Sequence, residues 1–191
     1  FLARNDMPQG EFWFEGRAHN RPAAMTAHIY GKRLAAAEAF THMTTHWSAY
    51  PAALKPRADS TFCDGTNQLV WHTFTASPPE LGKPGSEYFA GTHMNPNTTW
   101  WEKSGAFMSY IDRCQWMLQR GLFAADVCYY YGDHVPNFTQ IKSSDPAHVL
   151  PGYDYDVITE EAILERTTVR NGLVVLPDGM SYRVLVLRDH R

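Results

Sequence analysis

At 191 residues the chain is long enough for one domain with a sizeable core, or for one domain and part of another. Its 44% hydrophobic and 19% charged residues, with a net charge of -3, mark a globular protein and exclude both the basic footprint of a nucleic-acid binder and an acidic disordered tail. No run reaches the roughly 18–20 apolar residues of a membrane-spanning helix, and residues 1–10 do not have the pattern of a signal peptide.

In chain order, the first half alternates short apolar strands with amphipathic stretches, the pattern of repeated β/α units. Residues 11–14 (Glu11, Phe12, Trp13, Phe14) read as a strand end, residues 22–30 as a helix, and residues 32–40 as a strand that breaks off at Thr41 and His42. A helix is expected over residues 50–59, confined to short turns by Pro51 and Pro56. Residues 67–74, rich in β-branched and aromatic side chains, form the next strand, and residues 77–97, dense in Pro and Gly, a loop. From Trp101 to Gln119 the apolar positions Phe107, Tyr110, Ile111, Cys114, Met117 and Leu118 recur at helical steps, and Gly121 closes the helix. Beyond it come a strand at residues 122–131, a Pro-containing connection at 132–152, a helix over 156–165 with an acidic first turn beside Thr159, and strands at 173–176 and 182–187. These late strands are plain hydrophobic runs, as in a buried parallel sheet, so a domain boundary is placed at residue 121. With Phe1 in place of a starting Met, and an apolar run close to the last residue, the chain is expected to be cut at both ends, any export signal lying upstream.

Aromatic residues make up 14% of the chain, more than packing usually needs; about two thirds of them are expected in the core, the rest being suited to stack on the apolar face of a sugar. Cys63, Cys114 and Cys128 have no metal-ligand or disulfide-framework spacing. Glu38 lies in a run of small residues that reads either as a strand delivering a carboxylate at its end or as an alanine-rich helix exposing one. Glu11 precedes two aromatic rings, with Glu15 a weaker alternative; two carboxyl groups are what glycoside hydrolysis requires, one to protonate the leaving oxygen and one to activate water or attack the anomeric carbon. His72, near a strand end, suits a hydrogen bond to a sugar hydroxyl or core packing equally, while His93 lies in a loop near the same mouth, followed by Trp100 and Trp101. His28 reads as structural. His42 and His46 are spaced as a pair but lack the intervening Glu of a zinc-hydrolase helix, and neither a nucleophile elbow nor a phosphate loop occurs.

Several motifs resemble, in order, those of glycoside hydrolase family 106, the α-L-rhamnosidases and their relatives. They are residues 10–13 (Gly-Glu-Phe-Trp), 27–32 (Ala-His-Ile-Tyr-Gly-Lys), 37–41 (Ala-Glu-Ala-Phe-Thr), 47–55, 64–67 with His72, 99–101 (Thr-Trp-Trp), 110–121 and 125–127 (Ala-Asp-Val). The resemblance implies the C-terminal part of a (β/α)8 TIM-like barrel over residues 1–121, followed by the start of a flavodoxin-like α/β domain at 122–191. It implies a secreted or periplasmic hydrolase that removes terminal α-L-rhamnosyl residues with inversion, assisted by calcium, with a carbohydrate substrate as its partner. Glu38 then matches the general base, Glu11 a second acid in the cleft, and Trp13, His72, His93, Trp100 and Trp101 the sugar-binding set; the general acid lies upstream, which would leave this chain alone inactive. A second histidine expected near Ala76 is missing, and the single acids Asp6, Asp59 and Asp64 have no calcium-loop spacing. The alternatives are a barrel glycosidase of other specificity, such as a β-galactosidase-like enzyme, and a non-catalytic carbohydrate-binding barrel.

Overall fold

A computed structural model of the chain describes residues 1–44, 47–134, 137, 139 and 152–187. The first half is a run of parallel β/α units: β1 (Gln9–Trp13), α1 (Arg21–Tyr30), β2 (Ala36–Thr41), α2 (Pro51–Cys63), β3 (Gln68–Trp71) and, after a long loop, α3 (Gly105–Leu118). The three strands form one parallel sheet in the order β1-β2-β3. Alternation along them divides the sheet's faces. Phe12, Ala37, Ala39 and Leu69 pack with Leu54, Ala58 and Phe62 of α2 and with Phe107 and Ile111 of α3. Glu11, Glu38 and Val70, which are register partners, therefore share the other face.

Two expectations about helices need correction. α2 is one continuous helix rather than short turns: Pro51 stands in its first turn, where no backbone N–H is required, and extended Tyr50 before it suits a following proline. Pro56 lies inside the helix, where it removes a single backbone donor, and burial of Leu54, Ala58 and Phe62 on the sheet holds the helix together. The expected helix from Trp101 is a 3-10 turn at Trp101–Lys103 leading into α3, and its last turn leaves Met117 and Leu118 exposed.

The second half holds β4 (Val127–Tyr130), β5 (Tyr155–Val157), α4 (Glu160–Arg166), β6 (Thr168–Arg170), β7 (Leu173–Val175), β8 (Ser181–Tyr182) and β9 (Val184–Leu187). A parallel sheet runs β5-β4-β9, whereas β6, β7 and β8 make an antiparallel meander, so Leu173–Val175 does not belong to the buried parallel sheet expected of it. Asp156 lies in a strand, not a helix: β5 pairs with β4, and α4 begins only after Thr159, whose hydroxyl accepts from the Ala162 N–H at 3.3 Å. Most of the 132–152 connection lies outside the described residues, as does His46.

Helix α1 joins the halves. One side of it packs on the first sheet through Ala24 and Ala27 against Ala35; the other places Met25 against Tyr129 and Tyr155, and Ile29 against Ile158 and Leu176. Its polar side chains bind across the same junction. The Arg21 guanidinium reaches Asp64 at 3.4 Å, Asp154 at 3.3 Å and the Tyr155 carbonyl at 3.1 Å. His28 Nδ1 meets fully buried Asp156 at 2.8 Å, its ring stacked on Phe123. Asp156 also accepts a 2.8 Å hydrogen bond from the Tyr182 hydroxyl; burial, with the Asp156 charge adding to it, pushes the Tyr182 phenol and the Cys128 thiol up and keeps both neutral. His28 is thus structural, as its sequence context indicated.

Candidate active site

Parallel pairing puts Glu11 directly beside Glu38 on neighbouring strands, Glu38 being flanked on its other side by Val70. Both carboxylates are partly exposed on the face that α2 and α3 leave free, the Glu38 side chain at 34%. Adjacent strands are about 4.8 Å apart, so the two acids can work in one cleft.

The end of β2 is shaped by a bulge. Phe12 pairs with Ala39 and Trp13 with Thr41, so Phe40 is the unmatched residue; it takes a left-handed conformation, φ 65°, and is fully buried. Its ring meets Phe12 edge-on at 5.0 Å and stacks on Trp71 at 5.2 Å. Strict alternation would turn Thr41 away from Glu38. The extra residue turns it back: the Thr41 hydroxyl donates to Glu38 Oε1 at 2.6 Å. His72, one residue past β3, brings Nδ1 to 3.2 Å from the same hydroxyl and 3.7 Å from Glu38 Oε1, with the Tyr88 ring edge-on at 5.5 Å.

The loop after β3 folds back over the strand ends. Gly91 N–H donates to the His42 carbonyl, Thr92 N–H to that of His72 and Met94 N–H to that of Thr73. These bonds hold the tilted pair of exposed rings, Tyr88 and Phe89, beside His72. Trp101, half-buried, meets exposed Phe74 edge-on at 6.4 Å. Trp100 is anchored, its indole N–H donating to the Ala49 carbonyl at 2.8 Å while the ring packs against the core. Trp13 follows Glu11 in the alternation, carries the Arg17 guanidinium over its ring at 4.8 Å, and has a buried indole N–H with no acceptor among the described residues.

Of the sequence-predicted site residues, the structure gathers Glu11, Glu38 and His72 at one end of the sheet, with Trp13 ending β1 and Trp101 beyond the loop. It leaves His93 apart: that ring is wholly buried and stacked on Trp47 at 4.3 Å, with no surface open to a ligand. Thr41, Tyr88 and Phe89 were not singled out from sequence. A Tyr-Phe pair inside a Pro- and Gly-rich loop is a legible hint of an exposed platform; the approach of Thr41 to Glu38 depends on a bulge that no residue type announces.

Among the described residues no three His, Cys, Asp or Glu side chains are grouped to hold a metal ion. Asp59 is bound to Lys55 and Tyr110, and Asp64 faces Arg21. These acids are therefore not grouped to hold the calcium that the resemblance implies.

Two carboxylates thus stand beside one another in mid-strand on the open face of the parallel sheet, with a histidine and exposed rings toward the strands' carboxyl ends. The α-L-rhamnosidase family model, glycoside hydrolase family 106, matches residues 3–191, and the chain belongs to that family. A protein of Formosa agariphila named "Putative beta-glucuronidase" is 34% identical over 98% of this chain, which spans 16% of that protein. The solved structure of a rhamnosidase from Novosphingobium sp. PP1Y matches 97% of the chain with a TM-score of 0.82 and 29% identity, the match taking in 18% of that structure. The chain thus spans about a sixth of the length of the relatives it matches.

Proposed function

We propose that the full-length protein hydrolyses terminal α-L-rhamnosyl residues of glycosides or polysaccharides with inversion, and that Glu38 is its general base. In this reading Glu38 takes a proton from a water as the water oxygen attacks the anomeric carbon. The bond from that carbon to the leaving oxygen breaks, and an acid contributed from outside this chain protonates that oxygen. Glu11 is the second acid of the cleft; His72, Trp13 and Trp101 bind the sugar. Residues 1–121 are the later part of a (β/α)8 barrel whose interior is the helix-free face of the sheet, and residues 122–191 begin a flavodoxin-like domain. A secreted or periplasmic location fits a polysaccharide substrate.

The observation that carries the reading is the pairing of Glu11 with Glu38 on the open face, with Thr41 bonded to Glu38. A second reading, cleavage of β-glucuronides, is favoured by the name of the Formosa agariphila relative. The test is turnover of aryl α-L-rhamnosides and aryl β-glucuronides by the full-length protein and its E38Q variant, with NMR of the first-formed sugar. We expect rhamnoside cleavage giving the inverted anomer, and a loss of about 100-fold or more in kcat for E38Q. Preference for the glucuronide would replace the sugar assignment; undiminished turnover by E38Q would remove Glu38 from catalysis; a wild-type protein inactive on both would overturn the rhamnosidase reading in favour of a barrel glycosidase of other specificity or a carbohydrate-binding barrel.

A further inference from the structure

Glu38, Thr41 and His72 form a directed chain of hydrogen bonds, and the direction can be worked out from the donors available. A hydroxyl has one proton, and an ionised carboxylate can only accept, so the 2.6 Å contact uses the Thr41 proton. The 3.2 Å contact from Thr41 Oγ1 to His72 Nδ1 then needs its proton from the imidazole. At 3.7 Å, Nδ1 is too far from Glu38 Oε1 for a direct bond, which makes the hydroxyl the link between them. A neutral imidazole protonated at Nδ1 presents a lone pair at Nε2.

We infer that Thr41 is a positioning residue with two effects: it holds the Glu38 carboxylate in place, and it sets His72 in the tautomer whose Nε2 accepts a hydrogen bond from a hydroxyl of the sugar substrate. The inference rests on the reading of Glu38 as general base. Thr41 itself is 4% exposed and has no surface for substrate, so its influence passes through the other two. The buried Phe40 bulge fixes the Thr41 backbone, so the hydroxyl is in position before any sugar arrives. Of the charged and titratable neighbours, Glu11 lies beside Glu38 on β1, and Tyr88 faces His72 from the loop.

The experiment compares T41V, T41S and T41A with wild type and E38Q in the full-length protein, on the substrate it turns over. Loss of the hydroxyl in T41V should lower kcat by about 10- to 100-fold, the order expected of a misplaced catalytic group, with a smaller change in KM. T41S should restore most of the rate. Alanine and serine differ only in the hydroxyl, so T41A against T41S gives the same answer if the valine variant does not fold. Wild-type kcat in T41V or T41A, with E38Q inactive, would overturn the positioning role while leaving Glu38 as base. Equal losses in T41S and T41A would overturn it as well, since packing rather than the hydroxyl would then matter. An active E38Q would instead remove the reading on which the inference stands.

Discussion

Phe40 offers a stability test of the bulge that orders the site. The ring is wholly buried between Phe12 and Trp71, and its removal in F40A should cost about 3–5 kcal/mol from lost burial and the cavity left behind. Alanine keeps a Cβ at φ 65°, where an L-residue carries strain of about 1–2 kcal/mol. In F40G that strain is relieved, while glycine's greater freedom in the unfolded chain costs about 0.5–1 kcal/mol relative to alanine. The two opposing effects leave F40G equal to F40A or up to about 1.5 kcal/mol more stable, whereas at an ordinary buried strand position glycine is the worse of the two. Equilibrium urea unfolding of the three proteins, followed by circular dichroism, measures the order. A glycine variant less stable than the alanine variant by about 1 kcal/mol or more would refute the argument that Phe40 is held in a strained bulge.

Two further outcomes follow from packing and from burial. A Cβ on Gly10 would lie 2.4 Å from the His19 carbonyl oxygen and 2.8 Å from the Asn20 Cα, both backbone atoms, so G10A should displace β1 or the chain crossing it; a loss of about 1–3 kcal/mol in urea unfolding together with reduced turnover is expected, because Glu11 is the next residue. Thiol labelling should distinguish the cysteines: exposed Cys63 reacts in the native protein, while Cys128, wholly buried with its thiol pushed up by burial and by Asp156, reacts only on unfolding, an order that mass spectrometry of iodoacetamide-treated protein reads directly.

The sequence discloses the first sheet better than the second because the first is written in local patterns. β3 falls within its expected stretch, and β1, α1 and β2 overlap theirs with shifted ends, since each is a short run bounded by Gly, Pro or polar residues. The ambiguous Ala-Ala-Ala-Glu-Ala run became a strand because it is flanked on both sides: β1 and β3 each pair with it, and α2 and α3 cover the sheet, so tertiary pairing overrides the helix propensity of alanine. Pro56 misled for the complementary reason, since its cost is local and the burial that offsets it is not. Asp156 misled because an acid rarely enters a core strand; what admits it are partners 128 and 26 residues away, His28 and Tyr182. His72 could be nominated from a strand end, and Glu38 as the lone acid in a run of alanines, although it stands in mid-strand rather than at the strand's end. Thr41 could not, because an alternating pattern gives no notice of where it slips by one.

That slip also explains how one strand serves core and site together. Up to Ala39, alternation sends alanines to the helices and Glu38 to the open face, and parallel register sets Glu11 beside it. A shift of one residue in β2 would bury the carboxylate against α2 and expose the alanines, so the same apolar contacts that fix the register also aim the acid. Past Ala39 the need changes: a large ring is required to fill the space between Phe12 and Trp71, and a hydroxyl is required over Glu38. Regular alternation after Ala39 would give those two positions the opposite faces. A bulged Phe40 meets both demands at once, placing its ring in the core and Thr41 over the carboxylate, and the strain at this one residue is the consequence of joining a packed core to a preformed site within six residues of strand.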